Sequence, residues 1–165
     1  MIDSFLYYNE QELFFLRMQY LNDYVDKFVI VETDTTFSCL DHPAQFDSVY
    51  NQLPTDIKNK IVYHYLKIDR SQFQPGAEYF KDNSRYVERE MRNQLARMIR
   101  AESQTDWVMM SDLDEIWDTR VLNEAKALVD QHSKMFFATD FRTAYIDWQM
   151  DYGRWPGSRF TRVDI

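Results

Sequence analysis

An apolar run that opens abruptly onto acids is the most chemically suggestive stretch of the chain: Trp107-Val108-Met109-Met110-Ser111 leads straight into Asp112-Leu113-Asp114-Glu115. The first five residues suit a buried strand, and the acids follow where such a strand would deliver side chains to a site. On an extended chain alternate residues face the same way, so Asp112 and Asp114 would point together with Cα atoms roughly 7 Å apart. Two carboxylates so placed suit one hard divalent cation, Mg²⁺ or Mn²⁺, and the phosphates such an ion binds. A second reading needs no ligand: Asp112 ends the strand, Asp114 makes a turn and Asp118 caps the following helix. Clustering favours the first, because neighbouring acids repel unless a cation or a basic group lies close.

Basic groups are available on one helical face. Arg85, Arg89 and Arg92 recur at i, i+4 and i+7 and can approach an anionic ligand together. They also fit an ordinary solvated face, with Glu88 and Arg92 as an i, i+4 pair. His42, His64 and His132 share no metal-ligand spacing. Phe5, Tyr7, Tyr8, Phe14 and Phe15 read as core.

The elements that must carry these residues follow from periodicity. Ile2 to Tyr8 reads as a strand; Asn9 then looks like a helix N-cap with Glu12 three residues on, and Leu13, Leu16, Tyr20 and Leu21 form the stripe expected to face a sheet. Lys27 to Val31 is a strand of the β-branched, continuously apolar kind found inside parallel sheets, ending at Glu32-Thr33-Asp34. This strand, helix, strand order is a βαβ unit, whose strand carboxyl ends are where open α/β sheets bind ligands. A short helix around residues 43–51, a strand over 61–66, a helix over 84–103 with Val87, Met91, Leu95, Met98 and Ile99 on its apolar face, and a helix from Asp118 or Thr119 to His132 follow. Residues 134–139 and 141–148 read as strands of an interrupted hairpin, and residues 149–165 carry no further element. The expected fold is α/β: a mostly parallel, Rossmann-like sheet flanked by helices, with a small antiparallel element near the C-terminus.

Composition narrows the function. The chain has 165 residues, 45% of them hydrophobic and 16% aromatic, enough for one globular domain spanning residues 1–165. A net charge of −8 argues against a nucleic-acid partner, since phosphate neutralisation needs clustered Lys and Arg. Cys39 is the sole cysteine, so an intramolecular disulfide and a cysteine-rich zinc site are excluded. There is neither a signal peptide nor an apolar run long enough to span a bilayer, and a cytoplasmic location is expected.

Taken in order, these stretches resemble glycosyltransferase family 17, the β-1,4-mannosyl-glycoprotein N-acetylglucosaminyltransferase group with its bacterial and viral relatives. Ile2-Asp3-Ser4-Phe5 with Asn9-Glu10 and Arg17 looks like the family's first strand and helix, and residues 21–32, Leu21 to Glu32, are similar to its most recognisable run. Thr36-Phe37, Glu88 with Arg92-Asn93, Ser111 to Ile116 as the DxD region, and Trp155 with Gly157 follow in the family's order. The resemblance implies a GT-A-like fold and an inverting transferase that moves a sugar, N-acetylglucosamine by preference, from a UDP-sugar to a glycan acceptor. It also implies a Mn²⁺ or Mg²⁺ ion at Asp112 and Asp114, with Asp112 also meeting the diphosphate. Tyr8, Asn9, Glu32 and Thr33 would lie near the nucleoside, and Arg92 and Asn93 near the donor. Asp147 or Asp140, which follow the acid strand, would supply the general base that deprotonates the acceptor hydroxyl.

The chain departs from the family in two ways. Arg85 and Met91 stand where the family carries Trp and Gln, and the family continues beyond its W-x-G, which implies that a C-terminal segment is lacking here. Two other readings remain at this stage. One is a catalytically weak or dead sugar- or nucleotide-binding module on the same fold. The other is a haloacid-dehalogenase-like phosphatase with Asp112 as nucleophile and Asp114 as acid, although such a motif belongs early in its chain. The acceptor and the oligomeric state are left open.

Overall fold

The computed structural model describes residues 1–103, 106–132, 135–136, 139–142, 149–155 and 159–163. Strand β1 (Ile2–Leu6) is followed by helix α1 (Gln11–Leu21) and strand β2 (Lys27–Thr33), the βαβ unit expected. Two short helices, α2 (Phe46–Tyr50) and α3 (Thr55–Lys58), lead to β3 (Ile61–Leu66). The long helix α4 (Phe80–Glu102) crosses back to β4 (Trp107–Met110), and α5 (Leu122–His132) precedes β5 (Met135–Phe136), β6 (Thr139–Arg142), β7 (Gln149–Trp155) and β8 (Arg159–Arg162).

The main sheet has the order β3-β2-β1-β4-β8-β5, and β6 pairs with β7 in a separate two-stranded sheet. Strands β1 to β4 are mutually parallel, while β8 is antiparallel to both β4 and β5. This is the Rossmann-like α/β arrangement with an antiparallel part towards the C-terminus. The apolar character of β1 and β2 follows from position, since both lie inside the sheet with helices over their faces. Alternation divides their side chains. Phe5, Phe28, Ile30 and Met109 join a core with α1, α2 and α5, whereas Ile2, Val29, Val31 and Val108 join Val87, Met91, Leu95 and Ile99 of α4 on the other. Each buried aliphatic side chain contributes about 1.5–3 kcal/mol.

Three local expectations are corrected. Helix α1 does not meet the sheet through Leu13, Leu16, Tyr20 and Leu21: Leu16 is 54% exposed, Leu13 and Tyr20 are exposed too, and the buried face is Phe14, Arg17, Met18 and Leu21. Those four also have helical spacing, at i, i+3, i+4 and i+7, but a charged residue in the row hides it from an apolar count. The capping box is absent as well, because the N-cap position is Glu10, whose own carboxylate accepts from the Tyr8 and Asn9 amides. Finally, residues 149–165 do contain elements. β8 sits inside the main sheet with Phe160 fully buried, its ring 5.5 Å from Trp117 and 6.1 Å from Trp107. With one apolar residue among Arg159-Phe160-Thr161-Arg162, a strand of this kind shows no pattern until its neighbours are known.

Candidate functional site

The strand order reverses direction of travel at β1, with β2 and β3 on one side and β4 on the other. Open α/β sheets leave a crevice at such a switch point, outside the carboxyl ends of the strands. A cleft of about 420 Å³ lies there. Its floor and walls come from four places: Leu6, Tyr7, Tyr8, Glu10 and Leu13 after β1, Thr33, Thr35 and Phe37 after β2, Glu88, Met91 and Arg92 of α4, and Asp112, Leu113 and Asp114 after β4. Helix α4 reaches the cleft because it runs back against the parallel strands, which brings its N-terminal half to their carboxyl ends.

The acids are not the alternating end of a strand. β4 stops at Met110, and residues 112–115 form a turn closed by the Glu115 amide donating to the Asp112 carbonyl at 3.0 Å. Leu113 is drawn into the core, and Asp112 and Asp114 on either side of it remain exposed and border the cleft. The turn and the ligand-site readings therefore coexist. Asp118 has the role the bland reading gave it: its carboxylate accepts from the Arg120 amide at 2.9 Å and caps the 3₁₀ turn Thr119–Val121. The Arg120 side chain beside it holds that carboxyl down at about 2.

The basic partner required by the clustered acids is Arg92. Its guanidinium donates to Asp112 Oδ1 at 2.9 Å and to Glu88 Oε1 at 3.0 Å. Burial disfavours its charge, but these two hydrogen bonds outweigh that and raise its pKa above the ordinary arginine value. Arg85 and Arg89 are exposed and stay with their own helix, Arg85 3.8 Å from Asp82 and Arg89 3.4 Å from Glu90. Asp114 accepts no hydrogen bond among the described residues, so its carboxylate is available. No group of three or more His, Cys, Asp or Glu side chains is arranged to hold a metal among the described residues. Two carboxylates fit Mg²⁺ or Mn²⁺ nonetheless, because these ions commonly take one or two protein carboxylates and complete their shell with water and substrate phosphates.

The remaining sequence-derived positions separate. Tyr8 and Thr33 border the cleft, Tyr8 with its ring stacked on His42 at 4.3 Å. Asn9 and Asn93 are exposed and outside its lining. Glu32 is fully buried behind it: one carboxylate oxygen accepts from the Gln45 amide at 2.8 Å, the other from the Phe46 amide at 3.2 Å and the Tyr63 hydroxyl at 2.5 Å. His42 Nε2 lies 3.2 Å from Glu32 Oε1 without hydrogen-bond alignment. Glu32 thus holds the start of α2 against β3. Burial, then the Glu32 hydrogen bond, raises the Tyr63 pKa; burial followed by Glu32 and Glu10 pushes Tyr7 up to about 12. Asp140 lies on β6, paired through its backbone with Arg154, and Asp147 lies outside the described residues.

Arg17 is the residue whose part in the site composition did not reveal. Fully buried, it donates from Nε and one terminal nitrogen to both oxygens of Asp3, at 2.9 and 2.7 Å. The rest of its guanidinium reaches the acidic turn, at 2.7 Å to the Asp112 carbonyl, 3.1 Å to the Leu113 carbonyl and 2.7 Å to Ser111 Oγ. The signal available was its place in the buried row of α1.

No curated protein matches the chain by sequence. Among solved structures it is similar to one described as 4-diphosphocytidyl-2C-methyl-D-erythritol synthase, at 13% identity and a TM-score of 0.48, over 99% of this chain and 73% of that one. No described helix is long and apolar enough to cross a membrane. The profile of glycosyltransferase family 17 matches residues 1–160, which takes in the cleft and every residue that borders it. With a match of that extent the phosphatase reading falls away, and the chain belongs to glycosyltransferase family 17.

Proposed function

We propose that the cleft binds a UDP-sugar, N-acetylglucosamine being the preferred sugar, together with Mn²⁺ or Mg²⁺, and transfers the sugar to a glycan hydroxyl with inversion. The observation that carries this reading is the cleft's charge. Glu10, Glu88, Asp112 and Asp114 border it against Arg92 alone, a balance of four negative groups to one positive. A diphosphate entering such a site is repelled unless a divalent cation comes with it. Asp112 and Asp114 would hold that ion, whose positive charge stabilises the departing diphosphate.

The other residues have separable tasks. Tyr8 and Thr33 border the nucleoside end, with Asn9 beside them, and Glu32 supports that wall from behind. Arg92, with Asn93 next to it, turns from Asp112 towards the donor phosphates when the cation takes its place. In the transfer the acceptor oxygen forms a bond to the anomeric carbon from the face opposite the diphosphate. The bond from that carbon to the phosphate oxygen breaks, its electron pair leaves on the diphosphate, and the hydroxyl proton passes to a carboxylate base, for which Asp140 and Asp147 are the proposed residues. The same binding without turnover would make the protein a sugar-nucleotide-binding module.

Thermal unfolding with UDP and Mn²⁺ tests the site. Ligand at 100 times its dissociation constant stabilises by about 2.7 kcal/mol, or about 5–10 °C for a chain of this size. Asp112→Ala and Asp114→Ala should each abolish most of that shift. No shift in the native protein, or an undiminished one in both variants, refutes the proposal. Release of UDP from a UDP-sugar in the presence of glycan acceptors separates the transferase from the binding module.

A further inference from the structure

We propose that Arg17 is a positioning residue that presents the Asp112 and Asp114 carboxylates to the cleft by gripping the backbone of their turn from inside the protein; this rests on the ligand reading above. A guanidinium has five N–H donors in a rigid fork. Here all five are used, and on two different tasks. Two go to Asp3, which supplies the opposite charge; the other three go to Ser111 Oγ and to the carbonyls of Asp112 and Leu113, with the Glu115 carbonyl at 3.4 Å sharing in the last. Ser111 Oγ in turn donates to the Glu115 carbonyl at 3.0 Å, closing the turn on itself.

The geometry separates backbone from side chains. Carbonyls on both sides of Leu113 converge on one buried cation, while the flanking carboxylates border the cleft. If the pair with Asp3 were only a buried core contact, the fork facing the turn would have no reason to meet three main-chain carbonyls. The support is also rigid. Asp3 lies on β1, and Arg17 lies on α1 with its guanidinium 4.6 Å from the centre of the Phe5 ring. Lysine cannot replace this fork, because a single ammonium has three donors and no plane.

The test separates holding the turn from holding the fold. Asp3→Leu with Arg17→Met removes both charges together, a change that a core of this kind often tolerates. The double variant is expected to melt near the native temperature. Amide exchange of the segment 111–116 should accelerate about tenfold or more, with β2 unchanged, and the dissociation constant for UDP with Mn²⁺ should rise by about tenfold or more, the range seen when groups supporting a metal ligand are lost. Unchanged exchange in the turn overturns the proposal, and so does faster exchange with undiminished binding. If the native protein does not bind UDP with Mn²⁺, the nucleotide reading fails, and the exchange arm alone decides whether Arg17 holds the turn. Should the double variant not fold, Ser111→Ala removes two of the same hydrogen bonds with one oxygen atom. Faster exchange at 111–116 with little change in melting then supports the proposal, and unchanged exchange overturns it.

Discussion

Replacing Glu32 by Gln changes one atom type at the hinge between β2, α2 and β3, and its consequences can be worked out from the contacts. The native carboxylate accepts three hydrogen bonds, from the Gln45 and Phe46 amides and the Tyr63 hydroxyl. A glutamine keeps one acceptor oxygen and turns an NH₂ towards a donor that had faced the second oxygen. Tyr63 can rotate its hydroxyl to accept, but the amide of Gln45 or Phe46 cannot. One buried N–H is then orphaned at a cost of about 1–3 kcal/mol, and the loss of charge assistance weakens the bonds that survive by about 1 kcal/mol more. Relief from burying a charge offsets little of this while the donors that were aimed at it remain. The sum is about 2–4 kcal/mol, or a fall in Tm of about 4–16 °C for a chain of this length. Because the Glu32 side chain does not border the cleft, folded Glu32→Gln should bind UDP with Mn²⁺ within about threefold of native, a change below 1 kcal/mol. Thermal melting with and without ligand, read by circular dichroism, checks both parts. A Tm within 1 °C of native refutes the hydrogen-bond argument, and loss of binding at temperatures where the variant is folded refutes the placement of Glu32 behind the wall.

Other consequences are as direct. Tyr7 and Tyr63 both have pKa values raised by burial and by Glu32, so the folded state holds their protons more tightly than the unfolded chain does. Their contribution is intact below pH 10 and is lost as pH climbs from 10 through about 12 for Tyr7, with a still higher limit for Tyr63. Alkaline titration of stability should show a decline on the order of 1–3 kcal/mol over that window from Tyr7, and Tyr7→Phe should flatten it; an unchanged slope counts against the assignment. The orientation of α1 is tested by a pair of substitutions. Leu16→Gln lies on the exposed side and should alter stability by no more than about 0.5 kcal/mol, whereas Phe14→Ala on the buried side should cost about 3–5 kcal/mol. The reverse ranking by chemical denaturation would mean that the helix faces the other way.

Much of the frame was legible because the signals are local and strong. The continuous apolar run of β2 and the i, i+4, i+8 row on α4 each have a single comfortable solution, a strand inside a sheet and a helix lying across it. The acids after Met110 were legible as a site for a similar reason: nothing else in the vicinity wants three negative charges. What stayed hidden depends on partners distant in the chain. Leu13, Leu16, Tyr20 and Leu21 form a plausible stripe, and only the presence of Asp3 across the interface makes a row containing Arg17 the buried one. β8 has one apolar residue, and its place beside β4 is decided by Trp107 and Trp117 closing around Phe160.

The division is sharpest at the cleft. Residue type and order determined that a parallel sheet would bring acids to its carboxyl edge, because strand period, helix period and the reversal of strand order are properties of the chain read along its length. They also carried the family pattern from residue 1 to 160. Tertiary structure alone decided which charges meet there. Arg92 but not Arg85 or Arg89 reaches Asp112, Glu32 is drawn behind the wall rather than into it, and a guanidinium from the first helix holds the turn that carries the acids. Electrostatic and hydrogen-bond partners are chosen by distances of a few ångströms between segments up to a hundred residues apart, and those distances exist only once the sheet has formed.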